Sequence, residues 1–414
     1  MIKRNEWFLK ALPILSYLSF VICVFAITRQ FPFVKISGLI SISLVLIFVF
    51  SIIPIWKKIS RSKKGIKVLF LINVVSLMLL FMYSVFIQHN SAGLAIRFLI
   101  ILVLLLVVFF MPRKKFFLDS FIVLAVLHSL FLIGFEIYIV LLADANFATH
   151  IRNLVIELGV GDIYTYNGFY YRIQIKGNPI LPIAFLISLF SIKTKRLKII
   201  IPLILFGGTM IAGNFAFMLA IIFFFIVYSA IYYRKRIIST FSSLFKQRKR
   251  FYIVVSTLVV FLALIGFQTF KYVEETIVRK SEYSLPARFD QVEVLMDNLS
   301  ESPQTLLLGQ GVGNVLSKKT PYRDYTNNIY FELQTFYVLN QVGILYFLLY
   351  ILTNIVFILF FWRNKITYVL YLSYLVYALT NPYIFDSTHI LVILVLNSLE
   401  KYLTNEVLVG GKEI

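Results

Sequence analysis

Charged residues and cysteine are scarce in this sequence. Only 14% of its 414 residues are charged, 60% are hydrophobic and the mean hydropathy is +0.88, whereas about a quarter of the residues in soluble domains are charged. This composition excludes a water-soluble enzyme or a nucleic-acid-binding domain, despite a formal net charge of +21. It indicates an integral membrane protein. The one cysteine, Cys23, lies in an apolar run, so the chain can form neither an intramolecular disulfide nor a thiolate metal cluster.

Apolar runs long enough to cross a bilayer recur along the chain. Runs of about 17 to 25 apolar residues bounded by Lys and Arg are expected to be membrane helices, because the hydrocarbon core is about 30 Å thick. The sequence therefore predicts an all-α, polytopic membrane protein that forms one domain over residues 1–414. The first run lacks a small-residue cleavage site, which is typical of a signal anchor. The roughly twelve predicted spans are 8–28, 34–56, 67–88, 93–112, 116–143, 178–194, 198–212, 214–233, 251–268, 331–361, 366–381 and 388–404.

The basic residues predict which loops share a side of the membrane. About 27 of the 40 Lys and Arg residues lie in alternate loops and at the termini, and Lys and Arg in short loops are retained in the cytoplasm. Both termini are therefore expected to be cytoplasmic. The high positive charge is explained by membrane topology and does not indicate a nucleic-acid partner.

Two long loops, 144–177 and 269–328, are predicted to be extracytoplasmic and to contain short helices. Loops of this length usually carry function. They hold most of the remaining basic residues, and an anionic ligand at the outer face would account for the arginines, because a guanidinium group can grip a phosphate at two points. The alternative is a solvated surface that neighbouring acidic residues neutralise.

The first long loop ends in a run that leads directly into a predicted span. Asn178 is expected to cap that helix with Pro179 in its first turn, so that free backbone N–H groups point to the outer face. Such a helix end binds anions, and Arg172 and Lys176 precede it. The alternative is an ordinary capped helix with interfacial tyrosines.

The second long loop contains a predicted amphipathic helix that begins near Pro286 and carries Arg288 in its first turn. Its apolar positions fit a helix on the membrane surface. A glycine-rich turn follows at 306–314, but it lacks the Walker lysine and the G-x-G-x-x-G spacing of nucleotide loops. We expect its backbone to approach a ligand or another helix closely. The apolar positions of the predicted helix are Phe289, Val292, Met296 and Leu299.

Acidic residues near the last two predicted spans are candidate general bases. The helical stretch that begins near Asn327 is about 50 Å long at 1.5 Å per residue, so part of it is predicted to lie along the interface or to bend, with Gly343 as the candidate position of a bend. Glu332 lies at its outer rim, where it could accept a proton or simply pair with a nearby Arg. Asp386 and His389, three residues apart at the start of the last helix, could cap that helix or perform acid–base chemistry.

The order of these features resembles the bacterial O-antigen polymerases (Wzy type) and the related O-antigen ligases. The resemblance covers roughly residues 165–400. It implies transfer of a lipid (undecaprenyl) pyrophosphate-linked oligosaccharide onto another lipid-linked repeat unit at the outer face of the cytoplasmic membrane, without metal, nucleotide or other cofactor. The motifs that carry it are Arg172 before Gly177-Asn178-Pro179, the run 207–214, the Arg288 helix, the Leu-Leu-Gly-x-Gly-x-Gly turn at 307–313, Asn327-Asn328-x-Tyr330, and the run 340–344.

The resemblance implies a glycosyltransferase whose product is O-antigen or capsule-type polysaccharide, with a chain-length regulator as a candidate partner. Glu332 is the preferred base over Asp324, because a helix holds a side chain more firmly than a loop does. His389 with Asp386 is the fallback. The substrate-binding candidates are Arg172, Lys176, Asn178, Arg288 and Asn328.

Two departures from the family pattern bear on these roles. Ligases typically carry a His where this chain has Asn327, and the paired span often carries Ser-Arg where this chain has Gly213-Asn214. The first departure favours a polymerase over a ligase, which stays an alternative. A lipid-linked oligosaccharide flippase would predict repeated halves, and none is evident. A purely structural membrane partner would leave the arginine-bearing loops unexplained.

Overall fold

The chain is mostly helical in the computed structural model, which describes residues 2–28, 38–142, 145–166, 170–232, 285–322, 324–327, 331–379 and 381–410. Within these ranges, six helices are long and apolar enough to cross a membrane, or seven if the bent pair Leu39–Phe50 and Ile52–Arg61 is one span. The predicted class, a helical membrane protein, agrees with this. The structure does not establish twelve spans, and the predicted span 251–268 lies outside the described residues.

The described residues form a series of helices and two strands, labelled in chain order. The strands are β1 (Gly161–Tyr166) and β2 (Tyr170–Ile175). A π-helical turn, Tyr83–Ile87, extends α4. The helices are α1 (Ile2–Thr28), α2 (Leu39–Phe50), α3 (Ile52–Arg61), α4 (Lys64–Met82), α5 (Ala92–Val107), α6 (Lys115–Leu142), α7 (Ala145–Glu157), α8 (Leu181–Ser191), α9 (Leu197–Ala212), α10 (Phe215–Tyr232), α11 (Leu285–Leu299), α12 (Pro303–Leu308), α13 (Gln334–Phe361), α14 (Lys365–Ala378) and α15 (Ser387–Gly410).

Two predicted spans are shorter than a bilayer is thick. Helix α8 has 11 residues and α9 has 16, so they are about 16 and 24 Å long at 1.5 Å per residue. Residues 181–188 of α8 are all buried, which is typical of a helix enclosed by protein on every side. The core that encloses it is one large cluster formed by most of the helices, while a smaller cluster lies under α11.

Basic loops meet at one end of the helix bundle. Lys58 donates to the carbonyl of Phe109 (2.6 Å), beyond the end of α5, and Arg113 donates to the carbonyl of Phe361 at the end of α13. Lys115 and Lys193 both lie over the ring of Tyr402 in α15. The loops that the charge distribution places on one side are therefore brought together by these contacts.

The first long loop contains a β-hairpin that the sequence analysis did not predict. Besides helix α7, it forms the antiparallel pair β1 and β2, with Tyr164 opposite Arg172. The prediction of short helices alone was therefore incomplete. Ile173 and Ile175 are buried while Arg172 and Gln174 are half-buried, which is the alternation of a strand with one face on the core.

The bend predicted at Gly343 is confirmed. This residue has φ 69° and ψ 172° within α13, a conformation that residues with a Cβ rarely adopt. Gly309, Gly311 and Gly313 also have positive φ values, near +80°. A Cβ on Gly309 would collide with the backbone of α13, and one on Gly313 with the backbone of α5. The glycine-rich turn therefore packs closely against helices, one of the two outcomes expected.

Candidate functional site

Arg288 and Glu332 lie in direct contact at the end of the bundle opposite the basic loops. Arg288 is in the first turn of α11, and its Nε lies 3.4 Å from Oε2 of Glu332, which precedes α13. Both side chains are partly exposed, at 30% and 42%. Within the described ranges, the two Nη nitrogens of Arg288 make no hydrogen bond to protein. The guanidinium can therefore hold the carboxylate by one edge and an anion by the other.

Helix α11 is present, and it packs against protein, which the sequence did not predict. Val294 and Leu295 are buried, whereas Phe289, one of the positions expected on the membrane surface, is 70% exposed. The buried face packs against α13 through the smaller core, and Asn340 of α13 donates to the carbonyl of Leu295 (2.9 Å). The physical reason is that contact with protein, including the buried amide of Gln291, decides this helix's orientation.

Glu332 was expected on a helix, and this was wrong: it lies two residues before α13. Hydrogen bonds nonetheless fix its segment from both sides. Oε1 of Gln291 in α11 accepts from the backbone N–H of Leu333 (3.3 Å), and Oε1 of Gln334 accepts from that of Phe385 (3.1 Å). Phe331 is buried beside them. The carboxylate is thus carried on an anchored segment that links α11 to the loop before α15.

Asp324, the acid less favoured as a base, is exposed and paired. Its carboxylate accepts from the backbone N–H of Thr326 (2.9 Å), and Lys319 is 3.9 Å away. The hydrogen bonds from Thr326, aided by the charge of Lys319, hold the pKa of Asp324 below its usual value. A carboxylate with a lowered pKa is a weaker base.

Arg172 is positioned by the hairpin and by the end of α9. Its guanidinium lies 5.7 Å from the ring centre of Tyr164, its partner across the strands. On its other side, Gly213 ends α9 at φ 59°, and a Cβ there would overlap the Arg172 side chain. Gly213 therefore leaves room for Arg172.

A second arginine shares the ring of Tyr164. Arg152 of α7 lies 5.6 Å from the ring centre and pairs with both carboxylate oxygens of Asp162, at 2.8 and 3.2 Å. Burial acts to raise the pKa of Asp162, but hydrogen bonds from Arg152, Tyr164 and Ile163 outweigh it and lower that pKa. Arg152, Tyr164 and Asp162 were not among the predicted site residues. The alternation of the sequence GDIYTY at 161–166 was the signal that could have indicated this strand.

The anion site expected at the start of α8 is absent from the structure. Gly177 stands at the N-cap and Asn178 makes no capping bond. Its Oδ1 instead accepts from Nε2 of His128 (3.1 Å), and its Nδ2 donates to the carbonyl of Ile173 (2.7 Å). Asn178 and Pro179 are buried, so the hairpin covers this helix end. Lys176 stays exposed at the end of β2.

His389 and Asp386 are fully engaged in structural contacts. Nδ1 of His389 lies 2.6 Å from the carbonyl oxygen of Ile384 and Nε2 lies 3.0 Å from the hydroxyl of Tyr371. Because a carbonyl only accepts, we assign the proton to Nδ1, so Nε2 accepts from the tyrosine. Asp386 accepts from the backbone and hydroxyl of Ser387 and from the hydroxyl of Thr388. These contacts favour the capping role for Asp386 over acid–base chemistry.

A chain of contacts connects the surroundings of Arg172 and Arg288. Asn214, which follows Gly213, lies 3.4 Å from the side-chain oxygen of Asn381. Asn381 begins the loop that reaches Phe385, and Phe385 is held by Gln334 beside Glu332. The turn after α9, which lies against Arg172, and the start of α13, beside Glu332, therefore both contact the α14–α15 loop. Asn328, the last substrate-binding candidate, lies outside the described residues.

Among the residues that the structure describes, no three His, Cys, Asp or Glu side chains are grouped so that they could hold a metal ion.

Comparisons with protein-family models, curated proteins and solved structures found no match for this chain.

Proposed function

We propose that this chain is a membrane glycosyltransferase that polymerises lipid pyrophosphate-linked oligosaccharide repeat units. The observation that supports this most directly is the contact between Arg288 and Glu332 at the outer-loop end of the bundle. It places a group that can bind pyrophosphate beside a group that can accept a proton. A sugar transfer from a pyrophosphate donor requires both functions.

The reaction assigns a separate task to each group. Glu332 takes the proton of the acceptor hydroxyl as that oxygen forms a bond to the anomeric carbon of the donor sugar. The bond from this carbon to the pyrophosphate oxygen breaks, and the pyrophosphate leaves with the electron pair. The Nη nitrogens of Arg288 stabilise its negative charge. Attack opposite the leaving group inverts the anomeric centre.

The test uses the purified full-length protein in lipid vesicles with lipid-linked repeat units as the substrate. A general base contributes about 10² to 10⁴ in rate, so Glu332→Gln is expected to lower kcat by at least 100-fold with little change in donor KM. Arg288→Lys is expected to raise donor KM and lower kcat, because an ammonium group cannot reproduce the forked hydrogen bonds of a guanidinium.

A second ion pair in the same loop region provides the matched control. Lys318 and Asp297 are 3.0 Å apart and well exposed, and Lys318→Gln or Asp297→Asn should leave the rate nearly unchanged. Wild-type chain lengths from both Glu332→Gln and Arg288→Lys would overturn the assignment. If Glu332→Gln changes only donor KM, Glu332 positions Arg288 and is not the base.

A further inference from the structure

Helix α3 turns away from α2 at a fixed bend. The two helices meet at Ser51 at an angle of 56°. The hydroxyl of Ser51 is buried and lies 2.9 Å from that of Ser16 in α1, which ties the bend to the neighbouring helix. The predicted straight span 34–56 therefore ends near Phe50. From there the chain runs in a new direction through Arg61.

One side of α3 is attached to the protein. Ile55 is buried at 3% exposure. Lys58 donates to the carbonyl of Phe109 and lies 4.6 Å from the ring centre of Phe361. These contacts hold α3 at the bundle end where the basic loops meet. They leave the adjacent side of the helix exposed in the described part of the chain: Ile52 is 60% and Trp56 is 69% exposed.

The exposed face of α3 and the turn after it are strongly basic. No Asp or Glu occurs between residues 51 and 70. Within the described ranges, none of the exposed cations here has a carboxylate within ion-pair distance. Anionic headgroups complement this charge, and a tryptophan beside isoleucine suits the boundary between headgroups and acyl chains. The exposed cations are Lys57, Arg61, Lys63, Lys64 and Lys67.

We propose that α3 lies along the membrane surface and binds the headgroups of anionic phospholipids, with Trp56 and Ile52 inserted at the acyl boundary. The bend directs the helix away from the spanning direction of α2, and the cations extend the contact into the headgroup layer. This surface is separate from the Arg288–Glu332 site, and the inference does not depend on the proposed function.

Lipid quenching of Trp56 fluorescence in the full-length protein tests this proposal. The protein is reconstituted in phosphatidylcholine vesicles containing either brominated phosphatidylglycerol or brominated phosphatidylcholine. Subtracting the signal of the Trp56→Phe variant isolates Trp56. We expect brominated phosphatidylglycerol to quench Trp56 at lower mole fractions. Replacing Lys57, Arg61 and Lys63 with Glu should reduce the preference of Trp56 quenching for phosphatidylglycerol over phosphatidylcholine by roughly fivefold per cation.

The matched control combines Lys195→Glu, Arg196→Glu and Lys198→Glu. These three exposed cations lie before α9 and in its first turn, and their reversal should leave the lipid preference of Trp56 quenching unchanged. A neutral Lys57→Gln, Arg61→Gln, Lys63→Gln variant repeats the test if the reversed one does not fold. Equal quenching by the two lipids in the wild type overturns the proposal. So does maximal quenching by bromines near the chain ends, because Trp56 would then lie at mid-membrane within a spanning α3.

Discussion

At the scale of single residues, three arginines of the two long loops differ in the contacts that hold them. Arg152 is neutralised by two hydrogen bonds to Asp162. Arg288 meets Glu332 through one nitrogen. Arg172 lies between the ring of Tyr164 and the backbone of Gly213. Because Arg152 is committed to its carboxylate, Arg288 and Arg172 are the better candidates for binding a phosphate.

Gly213→Ala should displace Arg172 without changing any charge. The native φ of 59° is left-handed, and the new Cβ would overlap the Arg172 side chain. We expect a loss of about 1–2 kcal/mol in stability from the backbone alone, together with weaker donor binding, measured as donor KM. The control is Gly207→Ala in the same helix, whose Cβ would meet only Ile133 at 3.4 Å. Equal donor KM values for the two variants would show that the position of Arg172 is unimportant.

At the scale of secondary-structure elements, a buried acid within α15 holds the connection between two other helices. Glu400 is 1% exposed, and its carboxylate accepts from the backbone N–H groups of Arg363 and Asn364 and from the hydroxyl of Thr367. Arg363 and Asn364 form the turn between α13 and α14, and Thr367 lies in the first turn of α14. Negative charge near the first turn of α14 is also favourable because of the helix dipole.

Glu400→Gln should therefore destabilise this turn. One acceptor oxygen becomes an amide NH₂ that faces donors, so a buried hydrogen bond is lost, at a cost of about 1–3 kcal/mol. The midpoint of thermal unfolding in detergent should fall measurably. Glu157→Gln, at an exposed position of α7, serves as the control and should change stability by less than about 0.5 kcal/mol. Similar midpoints for the two variants would contradict the role assigned to Glu400.

Short-range patterns in the sequence predicted some helices, strands and bends better than others. The bend at Gly343 was predictable because helix length and glycine are both properties of a short stretch. The hairpin was missed although the alternation at 161–166 indicated its first strand. The capping role predicted for Asn178 was wrong because Asn178 bonds to His128, 50 positions earlier. The packing of α11 against α13 was likewise not predicted, because it depends on residues 45 positions apart. Contacts between such distant positions leave no periodic signal in the sequence.

At the scale of the whole molecule, the described contacts divide the bundle into two ends. Lys58 contacts the turn after α5, Arg113 the end of α13 and Lys193 the C-terminal part of α15. The turn after α9, the start of α13 and the loop before α15 meet at the other end. We predict that the basic end is cytoplasmic, because Lys and Arg in short loops are retained on that side. Arg288 and Glu332 would then face outward.

Cysteine labelling of intact cells should reveal this orientation. The native Cys23 is fully buried, so the wild-type chain provides an unlabelled background. A membrane-impermeant maleimide should label Ser300→Cys, at the exposed end of α11, in intact cells. Ser60→Cys, exposed near the end of α3, should react only after the cells are permeabilised. If only Ser60→Cys were labelled in intact cells, the orientation of the bundle would be the reverse of the predicted one. Arg288 and Glu332 would then face the cytoplasm, where lipid-linked repeats exported to the outer face could not reach them.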